Sequence, residues 1–294
     1  MAKYGNWTQG QFEALINILG EENALALIQG DVEVTFQLCA RKFFDKNGRR
    51  IPPRGLVAAV CDSNPNYRPN QPNSDYAGRL ARLQQAGFTV GISADEFEAR
   101  TSALLSVVEQ NEQIKNLLKG VYLPIVIQQQ MNIANLGEVT EKLVEAAGAS
   151  YCRQFPNRSF TNHRKGELAG QISIVEGSRY ERLIKKIASD LVVGIYFPAC
   201  LQGFSVHAQR EQATTLPEGF ILSGPLETAM GWTMYPDVLG RDWNTPGYDC
   251  SAVQWQSAGY SLYFVASDDR AGFGRGADLG DAGGRCSGGL FILG

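Results

Sequence analysis

Apolar residues near the start of the chain recur at helical spacing between Thr8 and Gly20, at Phe12, Leu15, Ile16 and Leu19. Thr8 is a suitable N-cap and Gly20 a suitable terminator, so we predict a helix between them. A second helix is predicted over residues 22–29, ending at Gly30, and the alternation over residues 32–38 predicts a strand. The pattern at the start of the chain therefore predicts a helical hairpin that leads into a sheet.

A turn-rich stretch over residues 43–76 separates this hairpin from two longer helical patterns. Within the stretch, residues 55–61 form an apolar run that predicts a buried strand. Helices are predicted over residues 75–85 and 95–119, and Gly120 ends the second of them. We therefore predict a small mixed helical N-terminal domain over residues 1–119, with a domain boundary near Gly120.

Strand and helix patterns alternate after Gly120. The apolar run over residues 121–127 predicts a strand, and Pro124 favours a sheet edge because proline cannot donate a hydrogen bond to a neighbouring strand. A helix, a strand, a helix and a strand are then predicted over residues 137–147, 172–175, 180–188 and 191–197. Beyond Pro198 the pattern is irregular, and we predict that its tryptophans pack beneath the loops as a scaffold, at Trp232, Trp243 and Trp255.

Two short strands are predicted near the C-terminal end, over residues 261–266 and 290–293. Paired as a hairpin, they would hold the ends of the segment 267–289 together and leave that segment on the surface. Four apolar side chains are predicted to pin this region to the core, at Phe264, Phe273, Leu279 and Phe291. We therefore expect residues 267–289 to form an exposed surface on a stable frame.

The composition excludes several classes of protein. The chain has 294 residues and is 44% hydrophobic and 19% charged, as is usual for globular domains. The net charge of −3 argues against a nucleic-acid binder, and no apolar run approaches the ~20 residues of a membrane span. The start of the chain has no signal-peptide pattern. We therefore expect a cytoplasmic protein by default, or a virion or cell-surface protein exported by another route.

Six cysteines are scattered along the chain without a C-x-x-C pair, and the only histidines are His163 and His207. This spacing predicts reduced thiols, with no metal site and no cofactor.

The tail over residues 257–294 has a biased composition. It contains no Lys, Glu, Gln, Met or Trp, although about seven are expected from their frequency in the whole chain. Glycine-rich turns and short strands disfavour some of these types. Randomised adenines in AAY codons offer a second cause, because the resulting NNY codons never encode those five residues. Residues 268–289 use only Asp, Arg, Ala, Gly, Phe, Leu, Cys and Ser, which NNY codons all encode.

The chain here resembles the variable proteins of diversity-generating retroelements, over residues 120–294. The resemblance rests on the tail composition, the order of elements and the terminal SGGLFILG. It implies an α+β fold with a C-terminal C-type-lectin-like domain, which has two helices, a small antiparallel sheet and long irregular loops. It also implies a ligand-binding display protein, not an enzyme, whose segment of about residues 257–289 is diversified by adenine-directed mutagenesis.

The resemblance suggests which side chains contact a ligand. The expected partner is an unidentified protein or cell-surface ligand. The candidates are the substitutable positions of the tail, namely Tyr260, Asp268, Asp269, Arg270, Gly272, Arg275, Ala277, Asp278, Asp281, Arg285 and Cys286.

Two other functions stay open at this point. Formylglycine-generating oxidases share the fold that the chain resembles and use a cysteine pair, for which Cys250 and Cys286 are the candidates. Such chemistry needs the two thiols close together and accessible. The other alternative is a structural or interaction protein without diversification.

Overall fold

Helices and strands both contribute extensively to the fold. A computed structural model describes residues 9–33, 41–129 and 133–294. The predicted α+β class is confirmed, because the described residues combine many helices with an open sheet. The chain divides into two units, Met1–Ala40 and Arg41–Gly294. The boundary predicted near Gly120 lies inside the second unit.

The first unit contains the predicted pair of helices, α1 (Gln9–Leu19) and α2 (Glu21–Gln29). Gly20 and Gly30 have φ values of 80° and 81°, which glycine adopts without the steric cost of a Cβ atom. Both glycines therefore end helices, as predicted. The N-cap predicted at Thr8 and most of the strand predicted over residues 32–38 lie outside the described residues.

Helices of the second unit lie on both sides of the predicted boundary. They are α3 (Tyr76–Gln85), α4 (Ala94–Gln110), a 3-10 helix (Lys115–Lys119), α5 (Leu136–Gln154), α6 (Tyr180–Ser189), α7 (Val206–Ala213), α8 (Pro225–Met234) and α9 (Pro236–Leu239). Its strands are β1 (Leu123–Ile127), β2 (Ser159–Asn162), β3 (Ile172–Ile174), β4 (Val192–Gln202), β5 (Phe220–Leu222), β6 (Gly247–Cys250), β7 (Val253–Trp255), β8 (Ser261–Ala266), β9 (Arg270–Gly276) and β10 (Cys286–Leu293).

The main sheet has the strand order β1-β4-β10-β6-β8-β9-β2, and β5 also pairs with β10. Strand β10 is central: it runs antiparallel to β4 and β5 and parallel to β6. The sheet is thus larger than the small antiparallel sheet predicted, and it is mixed because β2 and β9 are also parallel. Strand β1 lies at one edge with Pro124 in it, as predicted.

The core lies between one face of this sheet and the helices α5 and α8. Trp232 of α8 is fully buried, and its ring stacks on Phe264 of β8 with 5.5 Å between centroids. Tyr151 of α5 contacts the same indole at a centroid distance of 6.0 Å. Burial of such large aromatic side chains supplies much of the hydrophobic stabilisation of a domain.

Helix α8 was missed by the sequence patterns because every one of its residues is buried. Its polar residues Glu227, Thr228 and Thr233 are buried together with its apolar ones, so the helix has no solvent-facing polar side to reveal it. Its N-terminus is capped by Glu227, whose carboxylate accepts a hydrogen bond from the Gly224 N–H at 2.5 Å and another from the Tyr180 hydroxyl at 2.9 Å. Helices α7 and α9 were not predicted either, so the region beyond Gly120 exceeds the two expected helices, which are present as α5 and α6.

The strand predicted over residues 55–61 was wrong. Val57 is 90% exposed, and the segment forms only an isolated bridge from Val60 to Phe204. The backbone N–H groups of Val57 and Ala58 donate instead to the Glu211 carboxylate, at 2.8 and 3.0 Å. A side chain therefore replaces the strand neighbour that the apolar run implied.

Two elements end at positions other than those predicted. The long helix predicted over residues 95–119 ends at Gln110, where Asn111 adopts an extended backbone and its side chain accepts a hydrogen bond from the Gln113 N–H. Strand β4 continues past Pro198, because the register of β10 shifts between Gly288 and Leu290 and forms an irregularity opposite the proline.

The predicted hairpin between residues 261–266 and 290–293 was wrong, although both strands exist. Strand β6 lies between β8 and β10 in the sheet. Strand β8 instead forms its hairpin with β9, which was expected to be loop. Glycines at alternate positions of β9 removed the hydrophobic alternation that would have marked it as a strand.

None of the helices in the described ranges has the length and apolar character needed to span a membrane.

Candidate ligand-binding face

The strands β6, β8 and β9 have one core face and one more accessible face. Leu262 and Phe264 are fully buried, whereas Tyr263 and Val265 between them are partly exposed. Cross-strand pairing places Asp249 and Gly274 beside Tyr263. We call this second face the glycine face and define it by Gly247, Asp249, Tyr263, Val265, Gly272, Gly274 and Gly276, of which Gly272 and Gly274 are themselves buried.

Two adjoining cavities, of about 400 and 370 Å³, lie on the glycine face. Tyr263 and Val265 line both of them. The first cavity extends toward Thr161 and His163 at the β2 side, and the second extends toward the loop that joins β9 to β10. The face therefore carries two neighbouring recesses that share Tyr263 and Val265 in their walls.

Most of the predicted ligand-binding residues line these two cavities. Arg270 and Gly272 belong to the first cavity. The second is lined by predicted residues of the β9–β10 loop and the start of β10, namely Ala277, Asp278, Asp281, Arg285 and Cys286. The structure thus brings residues from separate parts of the tail to one surface.

The remaining predicted residues lie elsewhere. Asp268 and Asp269 are exposed in the turn between β8 and β9. Tyr260 and Arg275 form a separate cluster, in which the guanidinium lies 4.3 Å from the Tyr260 ring centroid and 5.7 Å from that of Trp255. This cation–π contact places Arg275 away from the cavities.

Some tail glycines have free space beside them. A Cβ atom added to Gly274 would meet its nearest neighbour, the Tyr263 hydroxyl, at 3.4 Å. The corresponding nearest distances are 3.9 Å at Gly276, 3.8 Å at Gly280 and 3.6 Å at Gly283. These are ordinary van der Waals contacts, so a Cβ atom fits at each of these positions without moving the backbone.

Other tail glycines are tightly packed. A Cβ atom on Gly289 would lie 2.5 Å from the Tyr196 ring and 3.0 Å from the Phe197 carbonyl oxygen. One on Gly284 would lie 2.8 Å from the Asp62 carbonyl oxygen, and one on Gly288 would overlap the Gln209 amide. The predicted site residue Gly272 is intermediate, at 3.2 Å from the Thr161 carbonyl oxygen. Room for a Cβ atom is therefore found at Gly259, where the nearest atom lies at 3.7 Å, and at the four glycines between residues 274 and 283.

The β9–β10 loop is attached to the frame at both ends. Leu279 is buried, and its carbonyl oxygen accepts a hydrogen bond from the His207 N–H at 3.1 Å. At the other end, the Gly284 carbonyl oxygen accepts from Gln202 Nε2 at 2.7 Å and from the Asn64 N–H at 2.9 Å. Residues 280–283 between these anchors can vary in side chain while the loop keeps its path. The burial predicted for Leu279, Phe264, Phe273 and Phe291 is confirmed.

The second cavity is acidic in this chain. Asp249, Asp278 and Asp281 line it, with Arg285 as the cation among its described lining residues. Desolvation raises the pKa of Asp249 to about 7, although Gln209 Nε2 donates a hydrogen bond to its carboxylate at 3.0 Å. Asp249 precedes the tail, so it stays part of the cavity whatever the tail residues are.

Sequence reasoning missed Asp249, Tyr263, Val265 and His163 as members of the surface. Tyr263 and Val265 could have been found from the alternation of β8, because they point opposite to Leu262 and Phe264. Asp249 and His163 lie far from the tail in sequence, and no local pattern indicates that their strands or loops adjoin it.

The scaffold prediction is correct for two of the tryptophans. Trp232 is fully buried and Trp255 is 3% exposed. Trp243 is 49% exposed and contacts the Tyr67 ring edge at a centroid distance of 5.7 Å. Core packing of Trp243 was therefore a wrong prediction, because its loop lies at the surface.

The structure does not bring Cys250 and Cys286 together. Cys286 pairs with Gly247 across β10 and β6, and Cys250 is an odd number of positions further along β6, so the two thiols point to opposite faces of the sheet. Cys250 is buried and Cys286 exposed. Desolvation raises the pKa of Cys286 to about 11, and the pKa of Cys250 is also raised, so both thiols stay protonated at neutral pH.

Within the described ranges, no group of three or more His, Cys, Asp or Glu residues is arranged to hold a metal ion.

Comparisons with family models, curated proteins and solved structures gave no match to this chain.

Proposed function

We propose that the protein is a ligand-binding protein that presents the glycine face, and that this face is diversified as in the variable proteins of diversity-generating retroelements. The C-type-lectin-like frame that the sequence resembles is part of the proposal. In this view the sheet and α5 and α8 form a constant frame, and the residues of β9 and the β9–β10 loop supply variable contacts.

The observation that carries the proposal is the division of the tail glycines into two classes. Positions 274, 276, 280 and 283 have room for a Cβ atom, and the first two line the cavities, whereas Gly284, Gly288 and Gly289 are closely packed. A segment in which changes are tolerated at the surface and excluded at the core is suited to repeated substitution. We therefore expect the diversified positions to lie before Gly284. Arg285 and Cys286 are the two expected exceptions, because both are exposed.

The position of the surface also supports binding. Its cavities of about 400 and 370 Å³ are within the usual size range of ligand sites. Both lie on the strands of the sheet, and a rigid support lowers the entropic cost of ordering the contact residues. Longer side chains at the glycine positions would fill these recesses or extend from them.

Sequencing many copies of this gene from its source population tests the proposal. We expect substitutions at AAY-derived codons of residues 260, 268–270, 272, 274–278, 280–283, 285 and 286, with a template repeat and a reverse-transcriptase gene nearby. The buried or closely packed residues should stay constant, namely Leu262, Phe264, Phe273, Leu279, Gly284, Gly288 and Gly289. An invariant tail would instead identify an interaction protein with a fixed partner. The separation of Cys250 and Cys286 gives no support to the oxidase alternative.

A further inference from the structure

A cavity of about 310 Å³ lies away from the glycine face. It is enclosed by the turn at residues 47–49, the loop at residues 63–71, the end of the 3-10 helix and strand β4. None of its lining residues belongs to the tail over residues 257–294. Any ligand of this cavity is therefore independent of tail composition.

Three cationic side chains from different segments line the cavity, namely Arg49, Arg68 and Lys119. The described lining residues include the amides of Asn47 and Gln202 but no Asp or Glu. Cations gathered without a carboxylate repel one another, so an anion between them would be attracted by all three.

Arg49 is held in place by the frame. Its Nε donates to the Gln202 carbonyl oxygen at 2.6 Å, and a terminal nitrogen donates to the Cys61 carbonyl oxygen. Asp45 and Asp62 interact with its charge but do not line the cavity. Desolvation is the largest influence on Arg49 and lowers its pKa. A guanidinium that has lost solvent gains more from a bound anion than a solvated one does.

Arg68 and Lys119 are available for a ligand. Both are exposed, and neither side chain forms a hydrogen bond or ion pair with the part of the chain that the structure describes. In contrast, other basic residues are paired: Arg79 with Asp237 at 2.6 Å and Lys115 with Glu112 at 2.6 Å. The two unpaired cations thus face the same cavity as the fixed Arg49.

The walls of the cavity are preformed. Gly48 has a φ of 79° and packs so closely on Gly120 that a Cβ atom would overlap the Gly120 backbone. The Gln71 side chain forms two hydrogen bonds with the Tyr122 backbone, at 2.9 and 3.0 Å. The segments that carry the three cations are therefore fixed relative to one another before a ligand arrives.

We propose that this cavity binds a small molecule that carries a phosphate group, with Arg49, Arg68 and Lys119 contacting the phosphate oxygens. A multiply charged phosphate balances three cations better than a single carboxylate does. The planar guanidinium is also suited to bidentate contact with phosphate oxygens. The cavity volume lies at the lower end of the range for small-ligand sites.

Isothermal titration of the full chain with inorganic phosphate and with pyrophosphate tests the proposal, with sodium chloride at matched ionic strength as the reference. The test variant carries Arg68→Gln and Lys119→Gln. A control variant carries Arg54→Gln and Lys185→Gln, which remove the same charge at exposed positions outside this cavity. Arg49 is left intact because it also supports the backbone.

We expect saturable binding of at least one of the two anions to the wild type and the control variant. Binding to the test variant should be weaker by roughly tenfold or more, because it loses two charge-assisted contacts. Circular dichroism and thermal melting establish that both variants fold. Equal affinities of the test and control variants, or no saturable binding of either anion to the wild type, would overturn the proposal. Neither result depends on whether the tail is diversified.

Discussion

The packing around Gly289 gives a sharp prediction about the end of the tail. In Gly289→Ala, the new methyl group would meet the Tyr196 ring at 2.5 Å, the Phe197 carbonyl oxygen at 3.0 Å and the Ser223 hydroxyl at 3.0 Å. Carbon atoms normally approach to about 3.5–4.0 Å, so the fully buried Tyr196 ring must move by about 1 Å. The backbone oxygen on another side prevents the methyl group from shifting away.

The expected cost follows from this overlap. Overpacked core positions lose about 1–3 kcal/mol, and contact on three sides places Gly289→Ala near the upper end. For a unit of this size, that loss lowers the Tm by roughly 5–10 °C. Gly276→Ala is the matched control, because its methyl group would lie 3.9 Å from Tyr263. We expect the control to change the free energy of unfolding by no more than about 0.5 kcal/mol.

Urea denaturation followed by tryptophan fluorescence, together with differential scanning calorimetry, measures both variants. Trp232 is buried in the core, so its emission reports on unfolding of the second unit. If Gly289→Ala is as stable as Gly276→Ala, the distinction between packed and substitutable tail glycines fails. That result would also remove the main support for a diversified glycine face.

Three further predictions concern the core and the thiols. Trp232→Ala should lose about 3–5 kcal/mol of stability in urea denaturation, because its indole is buried. Trp243→Ala should lose less than about 1 kcal/mol, because its indole is half exposed. Similar losses in the two variants would contradict this prediction. Burial raises the pKa of Glu227 to about 8 from its ordinary 4.5. The folded state is therefore most stable below pH 4.5, where Glu227 is protonated in both states, and this contribution to the free energy of unfolding is lost as the pH rises through 8. Between pH 5 and pH 8 the free energy of unfolding should therefore fall by about 4 kcal/mol more in the wild type than in Glu227→Gln. The same dependence of this free energy on pH in both proteins would contradict the prediction. A thiol reagent followed by peptide mapping should label Cys286 in the folded protein and Cys250 only after unfolding, since only the former is exposed; early labelling of Cys250 would show that the sheet opens.

The elements that the sequence predicted well are those with local signals. Gly30 ended α2 because its left-handed backbone conformation is a local property. Asp75 caps α3 by accepting a hydrogen bond from the Gly78 N–H at 2.9 Å, and the helix begins within one residue of its prediction. Pro124 indicated an edge strand because the missing N–H is a property of the residue itself.

The elements that it missed depend on distant residues. Helix α8 is helical because α5 and the sheet surround it, and a uniformly buried helix has no polar face to mark it. Strand β8 does not pair with β10 because β6 lies between these two strands in the sheet. Strand β6 precedes the tail in the chain, so the tail pattern alone could not indicate this arrangement. Seven of the eleven candidate residues of the tail line the two cavities, but Asp249 and His163, which line them too, could be identified only from the folded structure.

Strand β10 follows the β9–β10 loop in the chain, yet it lies at the centre of the sheet and pairs with three other strands. The sheet can close only after the ribosome has translated the entire loop in the correct reading frame. A copy with a frameshift or a stop codon in that loop would lack its central strand, expose unpaired backbone groups on β4 and β6, and become a substrate for proteases. Placement of the central strand after the loop would thus remove copies of the chain whose loop is defective.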